Sequence, residues 1–218
     1  MTVVLCLFSA ILTSHATGLV YLSNITDTSW GGYGASGSFG LGQPFRTGVS
    51  SGGYSLNSVK LSILGGLGDV SGFTVSLYSN ANDLPATLLE VLTGDSDPRA
   101  EGLYDYVSSG LILQPNTTYW IAATAAGTTP GTAYFWEITK EQDFVATDGW
   151  QIPFGNTFGY YYAGSDEWAS FPSSTYGTFK FTISATPAPE PASSVLFALG
   201  LGYLASKRPS SKRKLRAS

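Results

Sequence analysis

Apolar and polar residues alternate along several short segments in the middle of this chain. The alternation is regular over Val59–Ile63, Phe73–Tyr78 and Thr178–Ile183. A period of two places successive side chains on opposite faces of a strand. Each segment therefore predicts a strand that buries one face and exposes the other, as antiparallel sheets commonly do.

Other segments rich in β-branched and aromatic residues extend this pattern. Further strands are predicted near Leu88–Leu92, Leu103–Val107, Thr118–Ala123 and Tyr134–Ile138. Clusters of Gly, Asn, Asp and Pro separate the strands, and no ten-residue window has the spacing of an amphipathic helix. The pattern predicts an all-β fold, a single antiparallel β-sandwich of jelly-roll type.

An apolar stretch without alternation lies near the N-terminus. Val3–Leu12 has the length of the apolar region of a signal peptide, and Ser14-His15-Ala16 follows as a small-x-small cleavage site. We therefore predict a signal peptide over residues 1–16 and an extracellular β domain over residues 17–185.

The C-terminal region differs in composition from the rest of the chain. Residues 186–191 are rich in proline and predict an extended linker, whereas 192–205 are uncharged and mostly apolar. Fourteen helical residues span about 21 Å, less than the roughly 30 Å hydrocarbon core, so insertion requires bilayer thinning or snorkelling. A short transmembrane helix is predicted there, followed by a basic tail over 206–218 that stays cytoplasmic.

This tail resembles the tripartite PEP-CTERM sorting signal. Pro189-Glu190-Pro191 is followed by the apolar segment, which contains glycines, and then by a basic cluster. The basic residues are Lys207, Arg208, Lys212, Arg213, Lys214 and Arg216. The resemblance implies export in a Gram-negative bacterium, an inner-membrane-anchored precursor, cleavage by an exosortase-type membrane protease, and a mature form at the cell surface or outside the cell. A plain C-terminal membrane anchor is the alternative.

Four short sequence segments within the predicted domain resemble the choice-of-anchor type R domain, a bacterial extracellular module. They are Pro44–Gly48, Tyr54–Val59, Phe73–Ser79 and Leu111–Ile121, in that order. The resemblance implies a module displayed on the cell surface, and it brings no catalytic residues with it.

Charge and residue usage exclude several kinds of site. Residues 17–185 carry five basic and 14 acidic residues, a net charge of −9, which disfavours nucleic-acid binding by the domain. The sole Cys6 and the sole His15 lie in the predicted signal peptide. The mature domain is therefore expected to lack a thiol nucleophile, an imidazole base, a Cys/His metal site and a disulfide. We predict no catalytic residues, no metal and no cofactor.

Three local motifs have simpler explanations. Gly32–Gly37 fits G-x-G-x-x-G but is followed by residues that cannot form the required helix. Gly48–Gly52 fits G-x-S-x-G, yet no histidine is available to its serine. The acids of Asp95-Ser96-Asp97 and Asp166-Glu167 lack the spacing of an EF-hand loop and are interpreted as solvated turn acids.

Aromatic residues concentrate near the end of the domain. Nine of the 27 residues in Trp150–Tyr176 are aromatic. Alternate side chains of Tyr160–Tyr162 point to opposite faces, so at least one ring should lie outside the core. The candidate rings for stacking on a sugar are Trp150, Tyr160, Tyr161, Tyr162 and Trp168. The alternative is that these rings pack in the core or at an edge of the sandwich.

Three functions follow from these observations. The first is a non-enzymatic exported surface or extracellular-matrix protein that associates with extracellular polysaccharide. The second is a carbohydrate-binding module that uses the aromatic segment. The third is a glycosidase, which requires two carboxylates about 5 to 9 Å apart in a cleft.

Overall fold

The computed structural model describes residues 18–126, 131–141, 143–153, 158–162, 167–171 and 177–189. In chain order the strands are β1 (Leu19–Ser23), β2 (Gly31–Ala35), β3 (Phe39–Arg46), β4 (Tyr54–Leu67), β5 (Ser71–Ala81), β6 (Leu84–Val91), β7 (Gly102–Val107), β8 (Ile112–Leu113), β9 (Thr118–Ala126), β10 (Ala133–Thr139), β11 (Val145–Ala146), β12 (Phe158–Tyr162), β13 (Glu167–Phe171), β14 (Thr178–Phe179) and β15 (Phe181–Pro187). These residues form no helix, so the prediction of an all-β domain is confirmed.

Two predicted elements lie outside the described residues: the signal peptide over 1–16 and the apolar helix over 192–205. Within the ranges given above, no helix is long and apolar enough to span a bilayer.

The strands form two sheets in which the pairings are antiparallel, as predicted. The nine-stranded sheet follows the order β11-β1-β15-β4-β10-β14, with β2 paired to β10 and both β7 and β8 paired to β4. The six-stranded sheet follows the order β13-β12-β3-β9-β5-β6. Most neighbours are distant in the sequence, so the sheets depend on long-range pairing.

The alternating pattern decides which side chains enter the core. Val59, Leu61 and Ile63 of β4 are completely buried, and so are Val75 and Leu77 of β5. Both sheets contribute to one cluster of buried side chains. The two sheets therefore share a single hydrophobic core, which burial of apolar surface stabilises.

The hairpin between β5 and β6 has a two-residue turn. Asn82 and Asp83 have φ angles of 52° and 57°. A type I′ turn requires positive φ at both central residues, and Asn and Asp tolerate this conformation better than most other residues. The turn sequence therefore suits the twist of the two strands that it joins.

A buried ion pair lies on the outer face of the nine-stranded sheet, where alternation predicts exposed residues. Lys180 Nζ lies 3.2 Å from Glu137 Oε1, and the two residues are only 6% and 7% exposed. Burial raises the pKa of Glu137, but hydrogen bonds from Ser29, Ser62 and Lys180 outweigh this effect and hold the pKa below its ordinary value. The contact with Ser29 shows that the segment between β1 and β2 lies beside the pair.

The last strand continues beyond the predicted domain boundary at residue 185. Thr186 pairs with Ser55 and Pro187 with Tyr54, and the Ala188 N–H donates a 3.0 Å hydrogen bond to the Gly53 carbonyl. This corrects the prediction that the extended linker begins at residue 186. The physical reason is that β4 still offers partners there, and proline at a strand end interrupts few hydrogen bonds.

Candidate functional site

Aromatic side chains from four strands meet on the outer face of the six-stranded sheet. Tyr78 of β5 pairs with Trp120 of β9, and Tyr161 of β12 pairs with Trp168 of β13. Directly paired residues in an antiparallel sheet point to the same face. Because the neighbouring residue Leu77 points into the core, Tyr78 and Trp120 point away from it.

Glycines form the floor beneath these rings. A Cβ atom on Gly42 would lie 3.1 Å from Cζ3 of Trp168 and 3.3 Å from Cε3 of Trp120. A Cβ atom on Gly159 would lie 2.9 Å from Cζ3 of Trp120, and one on Gly40 would lie 3.1 Å from Cβ of Tyr161. The two tryptophans therefore occupy space that only glycine leaves open.

The rings surround an open cleft. The ring centroids of Tyr161 and Trp168 are 5.4 Å apart, and those of Tyr78 and Trp168 are 6.0 Å apart in an edge-to-face arrangement. Thr124 and Ala86 complete the lining of a concavity of about 460 Å³. The lining thus combines three aromatic rings, one aliphatic hydroxyl and one methyl group.

Curvature of the sheet creates this cleft. Strands β13 and β6 lie at opposite edges of the six-stranded sheet, yet they approach each other. Beneath the rings, β3 presents only Gly40 and Gly42, so at these two positions no side chain stands between β9 and β12 on this face. The β12–β13 hairpin can therefore curl over the face and bring Trp168 to Tyr78.

The described lining residues offer neutral hydrogen-bonding groups. Burial raises the pKa of the Tyr78 phenol above its ordinary value of 10.0. The phenol therefore remains protonated at neutral pH, and its oxygen can both donate and accept a hydrogen bond. The hydroxyl of Thr124 has the same capacity.

Trp150 lies elsewhere, in the core. It is 1% exposed, and its ring lies parallel to Phe45 at a centroid distance of 5.8 Å and meets Tyr54 edge to face at 4.9 Å. Asp148 and Gly149 precede it with positive φ angles of 56° and 77°, a turn that directs the chain back into the protein. This corrects the prediction that Trp150 is a sugar-stacking ring, because a fully packed ring has no free face.

The other predicted rings divide between the two faces of β12. Tyr161 and Trp168 lie together in the cleft. Tyr160 pairs with the buried Leu41 and packs against the core. The centroid of its ring lies 5.1 Å from that of Phe39. The backbone of Tyr162 belongs to β12, but its side chain lies outside the described part of the structure.

Sequence reasoning missed half of the cleft. Tyr78, Thr124 and the floor glycines Gly40 and Gly42 lie far along the chain from the aromatic segment. Alternation in Phe73–Tyr78 does place Tyr78 on the polar face, which was the available signal. Nothing local in the sequence indicates that this face curls toward β13.

Two of the four predicted turn acids, Asp95 and Asp97, have structural partners. Asp97 accepts a 2.5 Å hydrogen bond from the Tyr134 hydroxyl and lies 2.8 Å from the Arg99 guanidinium. Asp95 accepts a 2.8 Å hydrogen bond from the Asp97 N–H. Glu167 is exposed, and Asp166 lies outside the described residues. Among the residues that the structure describes, no group of three or more His, Cys, Asp or Glu residues is arranged to hold a metal ion.

Of the predicted sorting motif, Pro189 is the last described residue, and Glu190, Pro191 and the basic cluster lie outside the described ranges. One residue, Ala188, separates Pro189 from the end of β15. The motif therefore starts directly at the surface of the β domain.

Comparison with protein-family models, with curated proteins and with solved structures gives no match for this chain.

Proposed function

We propose that this chain is an exported, non-enzymatic surface or extracellular-matrix protein whose β domain binds carbohydrate in the aromatic cleft. The cleft between Tyr78, Tyr161 and Trp168, about 460 Å³ in volume, is the observation that carries the proposal. Small-molecule sites commonly have volumes of roughly 300–1,000 Å³. A pyranose ring has an apolar C–H face and a hydroxyl-bearing edge, which complement aromatic rings with polar tips.

The strand order supports the assignment of a jelly-roll sandwich. Eight strands are counted here in chain order, namely β1, β3, β4, β5, β6, β7, β9 and β15. The first of these eight pairs with the eighth, and the second pairs with the seventh. The third pairs with the sixth and the fourth with the fifth. This nested pairing is that of one long antiparallel ribbon rolled into two sheets. Jelly rolls include lectin domains, an analogy of fold that by itself identifies no site.

The two ends of the chain support export and surface display. Residues 1–16 have the organisation of a signal peptide. Pro189-Glu190-Pro191, the apolar segment and the basic cluster follow in the order of a PEP-CTERM signal. In this proposal an exosortase-type protease recognises the tail, and the β domain, which resembles a choice-of-anchor type R module, reaches the cell surface or the surrounding polysaccharide.

A binding role is favoured over glycoside hydrolysis. In the part of the chain that the structure describes, the cleft is lined by Tyr78, Ala86, Thr124, Tyr161 and Trp168, and none of these five carries a carboxylate. Glycosidases generally need an acid and a second carboxylate on either side of the scissile bond. The lining therefore supports a site that holds a sugar without cleaving it.

A glycan array probed with the purified full-length chain in mild detergent tests the proposal. We expect binding to a defined set of glycans and at least a tenfold loss of affinity for Trp168→Ala. A loss of this size corresponds to about 1.4 kcal/mol, which is modest for an aromatic anchor at the centre of a site.

Trp30 provides the matched control. It is a tryptophan that is 52% exposed, and it lies outside the six-stranded sheet, between β1 and β2. Trp30→Ala should bind the same glycans with unchanged affinity. If both variants lose binding equally, or if neither does, the cleft is not the binding site.

A further inference from the structure

We infer that the cleft selects neutral saccharides and discriminates against those that carry carboxylate or sulfate groups. This inference rests on the proposed function and specifies the class of ligand for the same site. It follows from the position of every basic residue of the domain relative to the cleft.

Among the described residues, those that line the cleft carry only uncharged groups. Their polar groups are the hydroxyls of Tyr78, Thr124 and Tyr161 and the indole N–H of Trp168, and Ala86 adds a methyl group. Hydroxyl groups exchange hydrogen bonds readily with sugar hydroxyls. An anionic group that enters the cleft loses hydration and gains no opposite charge in return, which is costly.

Four basic side chains are engaged elsewhere. Lys60 lies 3.4 Å from Asp105, and Lys180 lies 3.2 Å from Glu137, both on the nine-stranded sheet. Arg99 lies 2.8 Å from Asp97 and donates hydrogen bonds to the backbone carbonyls of Gly68 and Val70. Lys140 lies 3.5 Å above the ring of Trp30.

The fifth basic side chain, Arg46, is on the six-stranded sheet but at the far end of β3. It lies four residues from Gly42, the floor position beneath Trp168, which corresponds to about 13 Å along a strand. Arg46 is not among the described lining residues, and at physiological ionic strength the screening length is about 8 Å, so a charge anchored this far along the strand attracts a bound anion weakly. Between residues 17 and 189 the sequence contains no other Lys or Arg.

The overall charge acts in the same direction. Residues 17–185 carry a net charge of −9. A negatively charged domain repels a polyanion during approach, and this repulsion is strongest at low salt. Local and long-range electrostatics therefore both favour a neutral glycan.

Affinity electrophoresis of the full-length chain tests this inference. The neutral probes are dextran, galactomannan and hydroxyethyl cellulose, and the acidic probes are alginate, polygalacturonate and chondroitin sulfate. At 150 mM salt we expect at least one neutral polymer to bind tenfold more tightly than any acidic one. This binding should be lost in Trp168→Ala.

Ala86→Lys provides a gain-of-function variant. Ala86 is an exposed lining residue, so a lysine there adds a cation to the cleft without disturbing the core. We expect this variant to bind at least one acidic polymer more tightly than the wild type does, with an effect that salt weakens.

The possible outcomes separate the inference from the proposed function. If the wild type binds acidic polymers as tightly as neutral ones, and Trp168→Ala abolishes this binding, the inference is overturned while the proposed function stands. If Ala86→Lys gains no affinity for any acidic polymer, charge does not set the selectivity, and the inference is also overturned. If no polymer of either set binds, both the inference and the proposed function fail.

Discussion

The indole N–H of Trp120 donates a 2.8 Å hydrogen bond to Oδ1 of Asn80 on the neighbouring strand. An indole nitrogen can only donate, so the oxygen of the Asn80 amide must face it, and the amide nitrogen points elsewhere. Trp120 is 1% exposed although it lies on the outer face of the sheet. The bond thus satisfies a buried donor directly beside the cleft.

Removal of the acceptor should destabilise the protein. Asn80→Ala leaves the buried indole N–H without a partner, and we expect the free energy of unfolding to fall by about 1–3 kcal/mol. Urea denaturation followed by fluorescence measures this change. In a Trp120→Phe background no N–H remains to be satisfied, so Asn80→Ala should then cost less than about 0.5 kcal/mol. An equal cost in both backgrounds would show that the hydrogen bond contributes nothing.

The buried pair Glu137–Lys180 should respond differently to single and double substitution. Glu137→Leu leaves a buried ammonium group without its partner and should lower the free energy of unfolding by about 3–5 kcal/mol. The double variant Glu137→Leu/Lys180→Met removes both charges and should recover most of this loss. Chemical denaturation of the three proteins checks the prediction. A double variant no more stable than the single one would mean that shape, not charge, controls this site.

Acid should weaken the fold in part through Asp97. A hydrogen bond from Tyr134 and the neighbouring Arg99 hold the pKa of Asp97 below its ordinary value of 3.8. Burial raises the pKa of Tyr134 to about 12, so this donor stays protonated. A carboxyl whose pKa is depressed in the folded state stabilises the fold above its unfolded pKa, and this stability is lost as pH falls through the folded pKa.

The difference in unfolding free energy between the wild type and Asp97→Asn should therefore be largest above about pH 4 and should shrink toward pH 2. Urea titrations at several pH values measure it. Tyr134→Phe removes the main cause of the shift and should flatten the pH dependence in the same window. Parallel curves for the wild type and Asp97→Asn would refute the assignment.

The tail should control processing. Replacement of Pro189-Glu190-Pro191 by alanines is expected to leave an uncleaved, membrane-retained form in a host that has an exosortase. Immunoblots of membrane and extracellular fractions, with and without the enzyme, measure this. Because Ala188 is hydrogen-bonded to Gly53, the substitution begins just outside the last strand and should not change the thermal stability of the β domain. Normal processing of the variant would show that the tail is only an anchor.

Local sequence pattern determined the fold class and much of the core. The alternation in Val59–Ile63, Phe73–Tyr78 and Thr178–Ile183 has the period of a strand, and the apolar positions of each are buried. Such predictions succeed because successive side chains of a strand point to opposite faces. The face that a residue occupies therefore depends only on whether its position along the strand is odd or even. The absence of Lys and Arg from the described lining of the cleft also has a sequence origin, since residues 17–189 contain only five Lys and Arg residues.

Tertiary structure decided which aromatic rings form the site. Trp150 enters the core because the Asp148–Gly149 turn redirects the chain toward Phe45. Tyr160 faces inward because its register on β3 places it opposite Leu41, and the same register puts Tyr161 outside. Trp168 meets Tyr78 only because β13 curls over the part of β3 whose outward positions are Gly40 and Gly42. Pairings between segments up to about 120 residues apart along the chain set these positions, and no local pattern of hydrophobic and polar residues records such long-range pairing.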